Sequence, residues 1–144
     1  MTQVAFHFNV PDRLAYACRL LRKAVNNGAQ LVVTGLPSTL QELSAALWTL
    51  SPTDFVPHCD LQSDARVVAA SPVLLAASIQ QAPNRNILVN LGSSVPMGFE
   101  RFERVIELVG HAAQERESAR KRWRKYAAAG HVVQGHDLAQ PIPH

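Results

Sequence analysis

The stretch Val4-Ala5-Phe6-His7-Phe8-Asn9-Val10 is an apolar run that ends at Pro11, and Asp12 follows at the position of a helix N-cap. A short apolar run bounded by a turn residue is typical of a buried strand. Apolar side chains then recur at helical spacing, at Leu14, Ala17, Cys18, Leu21 and Val25. Asn26-Asn27-Gly28 supplies a helix stop. Residues 4–28 therefore predict one strand followed by one helix.

A second unit of the same kind follows. Leu31-Val32-Val33-Thr34 is typical of a buried strand, and a Gly and a Pro then turn the chain into a helix. Trp48 lies near the end of this helix, before a proline-punctuated loop over residues 51–58. The helix start carries two overlapping capping boxes, which run from Ser38 to Gln41 and from Thr39 to Glu42.

The rest of the chain continues the alternation of strands and helices. Strands are predicted around residues 73–76 and 86–91, and a helix from about residue 112 to 129. Between them, helical spacing predicts another helix whose apolar face is Phe99, Phe102, Ile106 and Val109. Such alternation implies a mainly parallel sheet covered on both faces. We expect one α/β domain over residues 1–130 and a loosely ordered tail over residues 131–144.

The composition is that of an ordinary globular protein. The 144 residues are 47% hydrophobic and 17% charged, which excludes disorder and collagen-like order. Cys18 and Cys59 form no disulfide framework, so the reducing cytoplasm is the expected location. The N-terminus lacks a signal-peptide pattern, and no apolar run reaches the ~20 residues that cross a bilayer. We expect no membrane association, and a monomer in isolation.

No motif for catalysis or cofactor binding stands out. The stretch Gly92-Ser93-Ser94-Val95-Pro96-Met97-Gly98 lacks the Lys-Ser/Thr ending of a phosphate loop, although a nucleotide site at a helix N-terminus stays possible. His58-Cys59-Asp60 places three potential metal ligands side by side, but adjacent residues rarely face one ion, which favours a polar loop. We expect no metal, no other cofactor and no catalytic residue. A nucleotide-binding α/β enzyme is the alternative.

Positive charge is concentrated near the C-terminus. Residues 115–126 contain six basic and two acidic side chains, a local charge of +4 in a chain whose net charge is +3. On a helix, Arg116, Arg120, Trp123 and Arg124 share one face. An arginine fork binds a carboxylate bidentately and a neighbouring indole offers an apolar wall, so this face suits a ligand with an acidic and aromatic end. The alternatives are a solvated basic face and direct binding of DNA phosphates.

Two blocks of the sequence carry a family signature. The specific blocks are Trp48 followed by Phe55-Val56-Pro57-His58, and Ala119-Arg120-x-Arg122-Trp123-Arg124-x-Tyr126 followed by Gly130. Val109, Arg116, the strand at 87–91 and the opening Phe6-His7-Phe8 agree with them. In these features the chain resembles the chi subunit family of DNA polymerase III.

This resemblance implies a three-layer α/β/α, Rossmann-like fold and a non-catalytic role in bacterial DNA replication. Chi subunits link the clamp loader to the single-stranded-DNA-binding protein by holding the acidic C-terminal peptide of that protein, so contact with single-stranded DNA is indirect. The positions matching the peptide pocket are Val109, Arg116, Arg120, Trp123 and Arg124. Arg120 would bind the terminal carboxylate, Arg116 and Arg124 would attract the preceding acids, and Val109 with Trp123 would flank the phenylalanine ring. A tyrosine is familiar where Trp123 stands.

The resemblance also implies a second partner, the psi subunit of the clamp loader. In this chain Trp48 and Phe55 match the region that binds psi. Aromatic residues dominate interface hot spots, so an exposed Trp and Phe beside a proline-rich loop would make an anchor. The structural alternative is that both rings close the core beneath the loop. Any polymerase activity would belong to the assembled holoenzyme.

Overall fold

A computed structural model describes residues 2–49, 56–60 and 63–138 of the chain. The described strands are β1 (Gln3–Val10), β2 (Leu31–Thr34), β3 (His58–Asp60), β4 (Val73–Leu75), β5 (Ile87–Asn90), β6 (Arg104–Gly110) and β7 (Val132–Asp137). The helices are α1 (Arg13–Asn26), α2 (Pro37–Trp48), α3 (Ala65–Ala70) and α4 (Ala113–Ala128), with a 3₁₀ turn at Phe99–Arg101.

The seven described strands form one sheet in the order β3-β4-β2-β5-β6-β1-β7, and every neighbouring pair is parallel. The predicted α/β fold with a parallel sheet is thus confirmed. Alternation along β2 shows how both faces are buried: Leu31 and Val33 pack under α1 and α2, while Val32 packs into the core beneath α4. The sheet is therefore the middle of three layers.

The predicted N-cap of α1 is confirmed, whereas the predicted start of α2 is wrong. The Asp12 carboxylate accepts a hydrogen bond from the Ala15 amide at 3.1 Å, as an N-cap does. The two predicted capping boxes of α2 are wrong, because the N-cap is Leu36 and no side chain caps this end. Pro37 occupies the first turn, where its fixed φ and missing N–H cost the helix nothing.

The predicted helix through Phe99, Phe102, Ile106 and Val109 is also wrong. Only a 3₁₀ turn forms at its start, and Arg104–Gly110 is the strand β6 between β5 and β1. All of β6 after its first residue is buried, so both faces carry buried positions and the apolar pattern loses its period of two. His58–Asp60, predicted as a loop, is the edge strand β3.

The prediction of a loosely ordered tail is wrong for Val132–Asp137. This segment is β7, which pairs with β1 in register from Gln3↔Val132 to Phe8↔Asp137. Exposed and half-buried residues alternate irregularly along β7, so its sequence carries little apolar signal, and pairing with β1 supplies the order. Residues 139–144 lie outside the described part of the chain.

Candidate recognition site

A buried polar network fixes α4 on the sheet. Glu107 of β6 is fully buried, and its carboxylate receives the Arg122 Nε–H at 3.1 Å. The same carboxylate accepts from the Tyr126 hydroxyl at 2.7 Å and from the Asn90 side-chain amide at 2.9 Å. Arg122 also donates to the Ser118 hydroxyl at 2.6 Å. Since Arg122 and Tyr126 lie one turn apart, the network sets the rotation of α4 about its own axis.

The electrostatics of this network follow from burial. Burial raises the pKa of the Glu107 carboxyl, and the Arg122 guanidinium opposes the rise. Burial and the neighbouring Glu107 carboxylate raise the pKa of the Tyr126 hydroxyl, so this group stays protonated as a donor. A buried ion pair whose hydrogen bonds are satisfied is costly to break from one side. The network therefore anchors the buried side of α4 and so fixes which of its residues face solvent.

The opposite side of α4 borders a groove of about 710 Å³. The structure brings all five residues predicted for a peptide pocket to this groove: Val109, Arg116, Arg120, Trp123 and Arg124. Val109 is buried, Trp123 is half-buried, and the three arginines are exposed. The groove therefore has an apolar floor and a cationic rim.

Residues that the sequence reasoning did not predict complete the groove: Phe6, Phe8, Ala119, Gly135 and Asp137. Phe6 lies 5.1 Å from Trp123 between ring centroids, so the two rings support each other. A Cβ at Gly135 would meet Phe8 Cε1 at 3.1 Å and the Trp123 ring at 3.4 Å. The phenylalanines could have been found from the alternation in β1. Gly135 could not have been found from the sequence, because it reaches the groove only when β7 pairs with β1.

The arginines of α4 divide into two kinds. Arg122 is buried in the ion pair with Glu107, whereas Arg116, Arg120 and Arg124 make no ion pair within the described residues. These three span two turns, about 12 Å along the helix axis. The groove thus carries three arginine charges and one carboxylate, that of Asp137.

The second predicted site lies at the other edge of the sheet. Trp48 is 66% exposed, so the alternative in which it closes the core is wrong for this ring. Its ring meets the His58 ring edge-on, with 5.8 Å between the ring centroids. His58 is held by Ser44 Oγ at 3.0 Å and by the Val56 carbonyl at 2.9 Å. Phe55 lies outside the described residues, so the structure places only half of this predicted pair.

The loops considered for a nucleotide make close contacts with the rest of the domain. A Cβ at Gly35 would meet Leu91 Cβ at 3.2 Å, so the loops after β2 and β5 pack closely on each other. The Ser93 carbonyl accepts from Ser118 and Arg122, at 3.0 and 3.3 Å. The described residues contain no group of three or more His, Cys, Asp or Glu side chains arranged to hold a metal ion. None of the described helices is both long and apolar enough to cross a membrane.

Fold and groove together define an α/β domain with a basic and aromatic groove beside its last helix. Residues 1–134 match the model of the family described as DNA polymerase III chi subunit, HolC. The chain is also 33% identical to DNA polymerase III subunit chi of Pseudomonas aeruginosa over 144 aligned positions, which cover 96% of this chain and 98% of that protein. The chain therefore belongs to the DNA polymerase III chi subunit family, which places it among the accessory subunits of DNA replication.

Proposed function

We propose that this protein is a non-catalytic docking subunit of the cytoplasmic DNA polymerase III holoenzyme. Its groove between α4 and β7 binds the acidic C-terminal peptide of the single-stranded-DNA-binding protein, and the surface around Trp48 binds the psi subunit. The observation that carries the proposal is the groove itself, where Arg116, Arg120 and Arg124 surround an apolar floor.

The chemistry of the groove fits a peptide that ends in a phenylalanine carboxylate. Arg120 is central in the arginine stripe, and its planar fork matches a carboxylate bidentately. Arg116 and Arg124, one turn away on either side, attract acidic residues that precede the terminus. Val109 and Trp123 supply an apolar floor and an aromatic wall for the ring.

The positions of the two sites support a bridging role. β7, beside the groove, and β3, which carries His58 next to Trp48, are the two ends of the strand order. Seven parallel strands at about 4.8 Å spacing separate these edges by roughly 29 Å. Two partners bound at these edges would not compete for the same surface, as a subunit that links the clamp loader to the DNA-bound protein requires.

Direct DNA binding through α4 is the second candidate, and the local charge of the helix favours it. The apolar floor supports the peptide as the ligand. Val109 and the half-buried Trp123 offer nothing to a phosphate backbone, whereas they match the side chain of a terminal phenylalanine. A peptide with acidic residues and a terminal phenylalanine would use both the arginines of the rim and the apolar floor.

The test is fluorescence anisotropy of a labelled peptide that copies the acidic, Phe-ended tail, titrated with wild type, Arg120→Ala and Lys121→Ala. Lys121 is exposed on the same helix but does not line the groove, so it controls for loss of one positive charge. We expect Arg120→Ala to weaken binding roughly 10- to 100-fold, since a charge-assisted hydrogen bond contributes about 1.5–3 kcal/mol. Lys121→Ala should leave the dissociation constant within about twofold.

An oligonucleotide titration separates the two candidates. A phosphate-binding helix would lose affinity equally from both substitutions and would show a steep salt dependence. Equal losses, or no peptide binding by the folded protein at low salt, would overturn the peptide proposal. A complex of wild type with purified psi subunit that Trp48→Ala weakens would support the second contact.

A further inference from the structure

Among the described residues, the strand that borders the groove has one edge without a neighbouring strand. β7 is the last strand in the sheet order, and it pairs along its length with β1 alone among the described strands. An edge strand presents unpaired N–H and C=O groups that another extended chain can bond. The open edge of β7 therefore offers backbone groups beside the groove. Side chains of α4 line the same groove.

Hydrogen bonding fixes which backbone groups point outward. The Leu138 amide donates to the Phe8 carbonyl at 3.0 Å, so the even-numbered residues of β7 direct their backbone groups toward β1. The N–H and C=O groups of Val133 and Gly135 then point away from the sheet. Neither residue has a backbone partner on that side within the described residues.

The open edge and the arginine stripe lie along the same direction. α4 connects β6 to β7, which are parallel strands of one sheet, so α4 runs antiparallel beside them. The six residues of β7 extend about 20 Å, and the stripe from Arg116 to Arg124 extends about 12 Å. Gly135 has no side chain between them, so the Trp123 ring lies 3.4 Å from the site of a Cβ. A peptide in the groove would meet both surfaces along its length.

We propose that the acidic peptide adds to the sheet as an extra strand along β7. The inference rests on the proposed function and adds the binding mode. The peptide backbone bonds the outward groups of Val133 and Gly135, the terminal carboxylate meets Arg120, and every second side chain before it faces the arginine stripe. The site then selects an extended segment with acids at alternate positions, because neighbouring side chains of a strand point to opposite faces.

A scan of N-methylated peptides tests this mode. Each peptide carries one backbone N-methyl group and keeps every side chain, and binding is measured by anisotropy against the unmethylated peptide. N-methylation removes one donor and places a methyl group at the strand interface. We expect a loss of about tenfold at every second position and little change between them. Equal losses at all positions, or losses at the terminal residue alone, would overturn strand addition while leaving groove binding intact.

Amide hydrogen exchange followed by NMR gives an independent readout. The peptide should slow exchange at Val133 and Gly135, whereas Gln134, whose amide points toward β1, should change little. Failure of the unmethylated peptide to bind would remove both proposals. Protection of the same amides at high protein concentration without peptide, together with a dimer in sedimentation, would assign the edge to a second copy of the chain and overturn the inference.

Discussion

The two candidate docking surfaces differ in how the fold builds them. The groove draws its residues from β1, β6, α4 and β7, and the buried network under α4 fixes the helix that carries its charges. In the described part of the Trp48 surface, the exposed Trp48 ring lies beside a three-residue edge strand and contacts His58, which local hydrogen bonds hold in place. The groove should therefore respond to changes in the core, whereas the Trp48 surface should respond only to changes at the surface.

The largest effect is expected for Arg122→Ala. The substitution leaves the Glu107 carboxylate buried without its ion-pair partner, which costs about 3–5 kcal/mol. Urea unfolding should show this loss in the free energy of unfolding, and peptide affinity should fall with it because α4 loses its anchor. At a temperature where the variant is still folded, binding of psi should be unchanged.

Arg120→Ala is the matched control for the unfolding measurement. It removes the same side chain from the same helix at an exposed position, so it should change stability by less than about 0.5 kcal/mol. The double substitution Glu107→Leu with Arg122→Met should recover only part of the lost stability, since an apolar pair can replace a buried ion pair but leaves the buried Tyr126 hydroxyl without its acceptor. Equal destabilisation by Arg120→Ala and Arg122→Ala would contradict the contrast between buried and exposed arginines.

The next largest effect is expected at the other edge. Trp48→Ala should weaken binding of psi by about 2 kcal/mol, roughly 30-fold, as is usual for an exposed aromatic anchor. Calorimetric titration measures it, and the peptide titration should not change. Leu36→Ala is a suitable control, because Leu36 is 64% exposed at the opposite end of α2. Equal losses from both substitutions would argue against Trp48 as the anchor.

The same contrast explains what the sequence could predict. Arg116, Arg120, Trp123 and Arg124 belong to one helix, so its period alone places them on one face, and the structure agrees. The burial of Arg122 could not be predicted, because its partner Glu107 lies in a segment whose spacing predicts a helix but which forms a central strand. Short-range patterns specify a helix face, but not what packs against it.

The strand β7 shows the same limit. Val132-Val133-Gln134-Gly135-His136-Asp137 has a glycine and few apolar residues, and its order comes from pairing with β1 more than 120 residues away in the chain. Gly135 enters the groove only through that pairing. Trp48 could be predicted as exposed only from the family resemblance, since its position beside an apolar helix stripe fits a buried ring equally well.

A smaller effect is expected for Gly135→Ala. The new Cβ would lie 3.1 Å from Phe8 Cε1, closer than a relaxed contact, and 3.4 Å from the Trp123 ring, an ordinary contact, so the Phe8 ring must shift. Stability should change by less than about 1 kcal/mol, because removing a strand glycine offsets part of the crowding. Peptide affinity should fall several-fold in the anisotropy titration. An unchanged affinity would show that the groove does not need the Phe8 ring in its present position.

The smallest effect is expected on the far face of the β1–β7 pair, at His7. Burial, then the neighbouring His136 and Arg104, lower the pKa of His7 to about 4. Its ring nitrogen Nδ1 lies 2.5 Å from the Tyr16 hydroxyl. The unfolded chain binds a proton at about pH 6.5, so the unfolded state takes up this proton first as the pH falls. The free energy of unfolding should therefore decrease from pH 6.5 toward pH 4.

Urea unfolding at pH 7.5 and pH 5 measures this dependence in wild type, His7→Gln and the control His111→Gln, whose histidine is exposed. The decrease on acidification should be smaller in His7→Gln than in the other two proteins, by about 1 kcal/mol or less because solvent screens the partly exposed ring. Tyr16 lies on α1 and His136 on β7, so the experiment reports how firmly the edge strand is held against the rest of the domain. The same decrease in the free energy of unfolding on acidification in all three proteins would mean that the β1–β7 pair tolerates a charged His7. The groove edge would then be less rigid than the buried side of α4.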